Sequence, residues 1–456
     1  MTGTKHRPAT AVIVGLGRTG LSCARYLHAR GWRIAATDTR DAPPELERVR
    51  ALDPSIVVRT GGLDVRLLDD AVCVVASPGV PLSDPFFVEA RRRGLEVVGD
   101  IELFARAVDA PVVGVTGTNG KSTVTTLVGR MAERAGLRVR VGGNLGEPAL
   151  DLLEAAHADR ERTELYVLEL SSFQLEATDS LDLKAAAVLN VTPDHLDRYA
   201  TVEEYAAAKA RIFARCDTAV INLDDPLVAA MPRPGQRTLT FSLRAAIGAD
   251  FGLAERTDAN PPGWWLTRRG QPLLPVSAMK MKGMHNAANA LAALALGEAL
   301  GLPLDVMLEE LTAFPGLPHR AEWVAEIGGV AYVNDSKGTN VGATLAAVAG
   351  MPGPVVLIAG GDGKNQDFSP LREACRGKVR HAVLIGRDAP VIERVLEGVC
   401  STERCASLEE AVRTAARAAR PGDTVLLSPA CASLDMFRDY AHRGSVFARA
   451  VQELAA

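Results

Sequence analysis

The run APVVGVTGTNGKSTVTTLVGRMAERAG, residues 110–136, constrains the fold more than any other stretch of the chain. An apolar segment, a glycine-rich turn and a helical pattern follow one another without a break. That order predicts a buried strand feeding a helix across a loop of phosphate size. Successive backbone N–H groups at Gly117, Thr118, Asn119, Gly120 and Lys121 can wrap a phosphate chain. Lys121 adds positive charge, the Ser122 or Thr123 hydroxyl can hold Mg²⁺, and the positive end of the helix faces the same point. The loop departs from G-x-x-x-x-G-K-[ST] in one respect: position 115 is Val115, and the glycine stands at Gly114.

The same strand–turn–helix order begins the chain. Gly15, Gly17 and Gly20 of GLGRTG follow the apolar TAVIV, and Asp38 ends the next apolar run, as in a dinucleotide-binding βαβ unit. A third restart comes near residue 317. GVAYVNDSKGTN, GPVVLIAGGDGK, RHAVLIGR and DTVLLSPACAS are apolar runs with polar, glycine-rich tips, separated by helical patterns. Uninterrupted apolar runs fit parallel strands buried on both faces. The expectation is therefore an α/β protein of three domains. Residues 1–99 form an N-terminal Rossmann-like domain, 100–316 a central P-loop-type ATPase domain with a mainly parallel sheet, and 317–456 a C-terminal Rossmann-like domain. Residues 235–280, rich in Pro and Gly, read as a β excursion at the central domain's edge.

Composition narrows the classes. The net charge of −4 with interspersed signs leaves no basic face for nucleic acid. Seven scattered cysteines read as reduced thiols. The apolar run before GLGRTG is too short for a signal peptide, and none is long enough to span a bilayer. A cytoplasmic monomer is expected.

Further polar residues cluster at strand tips. Glu169 stands inside the apolar LYVLEL, where a carboxylate needs either a metal or an ion-pair partner. Glu176 reads as ordinary surface. NVTPDHLDRY gathers Asn190, Thr192, Asp194, His195, Asp197 and Arg198, a set suited to metal or proton work, with the working carboxylate undecided. Lys209 and Arg211, on an Ala-rich helix, read as solvated charges. His285, Asn286, Asn289, His319 and Arg320 surround the second boundary, where Arg320 could meet transferred phosphate charge or a domain-interface carboxylate. Asp335 and Lys337 could hold ribose and phosphate, and Lys364 a carboxylate. A dehydrogenase needs no Lys121 or Mg²⁺ site, so GLGRTG is expected to hold the pyrophosphate of some other nucleotide.

In order along the chain, GLGRTGLSC, SPGV, GDIELF, GVTGTNGKST, GGNLG, LELSSFQLE, NVTPDHLDRY, LPHRAE, NDSKGTN, GGDGK and LLSPACASLDMF closely resemble the Mur ligase family, and several resemble its D-glutamate-adding members. The DNPR signature of the diaminopimelate- and lysine-adding members does not occur. The resemblance implies an ATP-dependent ligase that adds D-glutamate to UDP-N-acetylmuramoyl-L-alanine through an acyl phosphate. It implies that Arg18, Thr19, Asp38, Thr39, Arg40 and Ser77 contact the UDP part, with Asn144 and His195 at the muramoyl-alanine end. The loop residues 117–123, with Asn289, Arg320, Asp335 and Lys337, would bind ATP. Ser122, Glu169, His195 and a carbamate on Lys209 would hold two Mg²⁺ ions. Thr339, Lys364, Ser433, Leu434 and Tyr440 would bind D-glutamate. Lys121, Asp194, His195, Lys209 and Arg320 would be catalytic. Tyr440 stands where the family often has Phe, and Arg18 where it often has an apolar residue.

Overall fold

A computed structural model describes residues 9–159, 162–244, 248–281 and 283–455. Three sheets follow one another along the chain. The first orders Val57–Arg59, Arg33–Thr37, Thr10–Val14, Cys73–Ala76 and Glu96–Val98 from edge to edge, all parallel. The second has nine strands. From Val139–Gly143 it runs through Leu165–Glu169, Val112–Thr116, Leu183–Val188, Cys216–Asn222 and Arg237–Phe241 to Phe251–Arg256 with parallel pairing. Gly263–Arg268 and Gln271–Pro275 then close that edge antiparallel. This is the β excursion read from the sequence. The third sheet pairs Glu322–Ile327 antiparallel with Val330–Asn334 and continues parallel through Thr424–Leu427, Val355–Gly360, Val379–Ile385 and Ser401–Arg404. The chain is thus α/β with three mostly parallel sheets.

Cys216–Asn222, central and mostly buried, was not read from the sequence, and three other missed strands lie at sheet edges. Val57–Arg59 and Ser401–Arg404 are short edge strands with exposed residues, and Val139–Gly143 mixes arginine with glycine. Edge strands bury little and so lose the apolar signature. Gly114 is explained by packing. A Cβ there would meet Leu183, Ile212 and Leu170 side chains at 3.0–3.3 Å. The glycine lets the phosphate-loop strand lie against its neighbours.

One apolar cluster joins the first two domains. It runs from Ala11, Leu21 and Phe104 through Leu150 and Tyr166 to Phe213 and Val228. The third domain has clusters of its own, on either face of its sheet. In parallel sheets ligands sit beyond the strand C-termini. Those ends carry the polar tips, and two cavities open there, one at each domain junction. No helix among the described residues is long and apolar enough to cross a membrane.

Candidate active site

Strand Val112–Thr116 turns through Gly117–Gly120 into helix Lys121–Arg134. Gly120 has φ +84°, and a Cβ on it would lie 2.4 Å from Asn289 Oδ1. The loop is braced by the tip of the neighbouring strand. Thr118 N donates to Asn190 O at 2.9 Å, and Asn119 N to Asn190 Oδ1 at 2.8 Å. Lys121 Nζ folds back and donates to Gly117 O and Thr118 O at 2.9 and 2.8 Å. Burial lowers its pKa, partly offset by the charge of Glu169.

Glu169 is 4% exposed at its strand end. Ser122 Oγ donates to its Oε2 at 2.5 Å and Asn144 Nδ2 to its Oε1 at 2.8 Å. Arg320 Nη2 donates to Ser122 Oγ at 2.7 Å, so a residue from beyond the second boundary reaches the glycine-rich turn. Burial alone would raise the Glu169 carboxyl. The Lys121 charge and these hydrogen bonds outweigh it and hold it below the usual carboxylate range. Two hard oxygens beside a phosphate loop fit Mg²⁺, which takes few protein ligands and completes its shell with phosphates and water.

Asp194 is buried and receives Lys364 Nζ at 2.8 Å, Asn340 Nδ2 at 3.1 Å and His195 N at 2.9 Å. Burial pushes its carboxyl up, but Lys364 and His195 leave it below its ordinary value. His195 Nε2 lies 3.8 Å from Asp194 Oδ2, and burial lowers the imidazole pKa. The His195 backbone is left-handed at φ 55°.

Lys209 corrects the reading of a solvated charge. It is 1% exposed, donates to Gly117 O at 3.0 Å and lies 4.2 Å from the Tyr205 ring centre. Burial, then the nearby Lys121 charge, pushes its amine well down. Glu176, read as surface, is also corrected: it accepts from Arg198 and Tyr199.

A cavity of about 290 Å³ lies between the central and third domains. Asn119, Gly120, Thr123, Asn289, Arg320, Asp335 and Lys337 line it, as do His285 and Asn286. Burial pushes the Asp335 carboxyl up to about 6 and the Lys337 amine down to about 8. A larger cavity, about 550 Å³, lies between the first and central domains. Arg18, Thr19, Asp38, Thr39, Arg40, Ser77 and Asn144 line it together with Gly15 and Gly17. Asp38 braces the glycine turn by accepting from Leu16 N at 2.6 Å, and Arg40 Nη2 donates to it at 2.7 Å. Arg18 Nη2 reaches Gly146 O at 2.9 Å.

The residues singled out for the amino acid are less closely gathered. Asp362 and Ala432 exchange backbone hydrogen bonds at 3.0 and 2.8 Å, which sets the GGDGK turn beside the SPACAS loop. This brings Lys364 and Ser433 toward one end of the sheet, while Thr339 follows the neighbouring strand tip. Leu434 is 72% exposed, and the Tyr440 ring centre lies 3.7 Å from Lys337 Nζ. Asn340 escaped the sequence reading. It caps helix Val341–Gly350 and contacts both Asn119 and Asp194. An Asn before an apolar helix was the available signal.

A glycine-rich strand–helix turn whose serine joins a buried carboxylate to an arginine of the next domain, beside a cavity, has the geometry of a phosphate-handling α/β enzyme. The chain belongs to the Mur ligase family: the Mur ligase MurD-like N-terminal domain matches residues 9–99, the Mur ligase middle domain 115–297 and the Mur ligase glutamate ligase domain 319–431. The UDP-N-acetylmuramoylalanine–D-glutamate ligase of Nitrosococcus oceani is 52% identical over 448 residues, 98% of this chain and 97% of the relative. The protein of the same name in Pseudomonas aeruginosa is 50% identical, over 97% of this chain and 98% of its own. Among solved structures, the UDP-N-acetylmuramate–alanine ligase of Thermotoga maritima aligns with TM-score 0.60 at 18% identity, covering 98% of this chain and 99% of the other. A pseudomurein peptide ligase type C from Methanothermus fervidus aligns with TM-score 0.59 at 18% identity, covering 98% and 100%. These two likenesses concern the fold alone.

Proposed function

We propose that the chain is an ATP-dependent ligase that joins D-glutamate to UDP-N-acetylmuramoyl-L-alanine in cytoplasmic peptidoglycan precursor synthesis. The observation that carries this reading is the Arg320–Ser122–Glu169 chain beside Lys121, set between two nucleotide-sized cavities. The larger cavity holds the UDP end, against Arg18, Thr19, Asp38, Thr39, Arg40 and Ser77. The smaller holds ATP, against the loop 117–123, Asn289, Arg320, Asp335 and Lys337. Thr339, Lys364, Ser433, Leu434 and Tyr440 take D-glutamate.

Hydroxide leaves a carboxylate poorly, so the carboxylate is first activated. An oxygen of the alanine carboxylate attacks the γ-phosphorus and ADP leaves, giving an acyl phosphate. The D-glutamate amine then attacks the carbonyl carbon, and the tetrahedral intermediate expels phosphate to leave the amide. Lys121 and Arg320 stand where transferred negative charge would need neutralising. Asp194 and His195 take or place the amine's proton. Ser122, Glu169, His195 and a carbamate on Lys209 would hold Mg²⁺, which supplies Lewis-acid stabilisation of phosphoryl charge. Carbamate formation consumes the neutral amine and releases a proton, and burial pushes the Lys209 amine down toward that form.

The test is phosphate release by the purified protein with ATP, Mg²⁺ and UDP-N-acetylmuramoyl-L-alanine, with D-glutamate present, omitted or replaced by L-glutamate. Release is expected with D-glutamate only, and Lys121→Ala should lower it on the order of 10²–10³-fold, as for a lost charge-stabilising donor, while still binding the UDP substrate. Release with another amino acid would move the substrate. Silence with every amino acid would remove the ligase reading.

A further inference from the structure

Arg198 follows His195 by three residues and reaches across to the first domain at Pro78, a residue of the larger cavity's wall. Its Nη1 donates to Pro78 O at 2.8 Å, across the boundary between the central and first domains. Its Nη2 donates to Glu176 Oε2 at 2.7 Å, and Tyr199 OH donates to the other Glu176 oxygen at 2.5 Å. The ion pair is largely buried, with side chains 10% and 20% exposed. The guanidinium stands 4.1 Å from the Phe173 ring centre, and that ring lies 4.9 Å from the His195 imidazole.

Pro78 belongs to the turn Ser77–Val80, which forms one wall of the larger cavity. Within the first domain the turn is tied to the glycine loop through Ser77 Oγ, which donates to Gly15 O at 2.8 Å. From the central domain Arg198 holds it at Pro78. The segment that holds it also fixes His195, because Arg198 N and Tyr199 N both donate to His195 O, at 2.9 and 3.0 Å. One planar fork thus serves a carbonyl on one side and a carboxylate on the other, a geometry that an ammonium cannot reproduce.

We propose that Arg198 is a positioning residue for the UDP-linked substrate: through Pro78 it sets the Ser77–Val80 wall of the cavity in register with the His195 turn. The proposal rests on reading the larger cavity as the UDP site. Arg198 acts through Pro78, and Glu176 and Tyr199 keep the guanidinium aimed.

The experiment is calorimetric titration of the full-length wild type, Arg198→Met, Arg198→Lys and Glu176→Gln with UDP, followed by steady-state kinetics. The wild type should bind UDP. Arg198→Met should weaken binding about tenfold or more, the scale of one lost charge-assisted hydrogen bond. The KM for the UDP substrate should rise in step while the KM for ATP stays put. Lys should restore binding only in part, and Glu176→Gln should give a smaller loss. If Arg198→Met does not fold by circular dichroism, Glu176→Gln decides. UDP binding that is unchanged in the folded variants, or a KM for ATP that rises equally, would overturn the proposal while leaving the cavity reading intact. Failure of the wild type to bind UDP would overturn the cavity reading and the proposal with it.

Discussion

Asp100 opens the short helix Asp100–Ala105 and is 1% exposed. Its Oδ2 accepts from Gln174 Nε2 at 2.9 Å, and its Oδ1 has no hydrogen-bond partner among the described residues. Burial pushes the carboxyl from 3.8 up to about 6. A carboxyl raised in the folded state contributes stability below its unfolded pKa and loses it as pH rises through the folded one. Asp100→Asn should therefore stabilise the protein at pH 7–8, by at most about 3 kcal/mol, with the gain shrinking to nothing toward pH 4. Urea unfolding of both forms across that range checks it, and a gain independent of pH would remove the argument. Neither Asp100 nor Lys209 was legible as buried from the sequence. Gln174 lies 74 residues away from Asp100, and Gly117 lies 92 residues from Lys209. Alanines around Lys209 give little contrast to read a buried face from, since Glu203 and Glu204 are the only other charges on its helix.

Elements were far more legible than residues. Most central strands buried on both faces announce themselves as apolar runs, and glycine turns mark where several hand over to a helix. Thus the phosphate loop and the tips carrying Glu169, His195 and Asp335 could be placed on strand ends beforehand. Their mutual approach could not, since it depends on how three sheets face one another. Gly120 shows how narrowly one such turn is specified. A side chain there meets both a positive φ and the Asn289 amide at 2.4 Å. Gly120→Ala should cost roughly 1–3 kcal/mol locally and lower turnover at least about tenfold. Near-normal phosphate release from a folded Gly120→Ala protein would show that the loop tolerates a rearrangement this geometry forbids.

At the scale of the whole molecule the two domain junctions differ in kind. The third domain meets the central one through polar contacts at the site: Arg320 with Ser122, Asn340 with Asn119 and Asp194, and Lys364 with Asp194. Polar contacts of this sort can exchange for water or substrate when the two domains part, whereas apolar packing has no such replacement. The first junction is sealed by continuous apolar packing, and separating it would expose the sides of Leu21, Phe104, Leu150 and Leu153 to solvent. The shared apolar cluster predicts that the three domains unfold as two cooperative units. Scanning calorimetry should resolve two melting transitions rather than three, with the first and central domains melting together. A seam closed by apolar side chains and a seam closed by polar ones would then divide the labour, one keeping the first two domains as a single wall and the other letting contacts to the third be made and released.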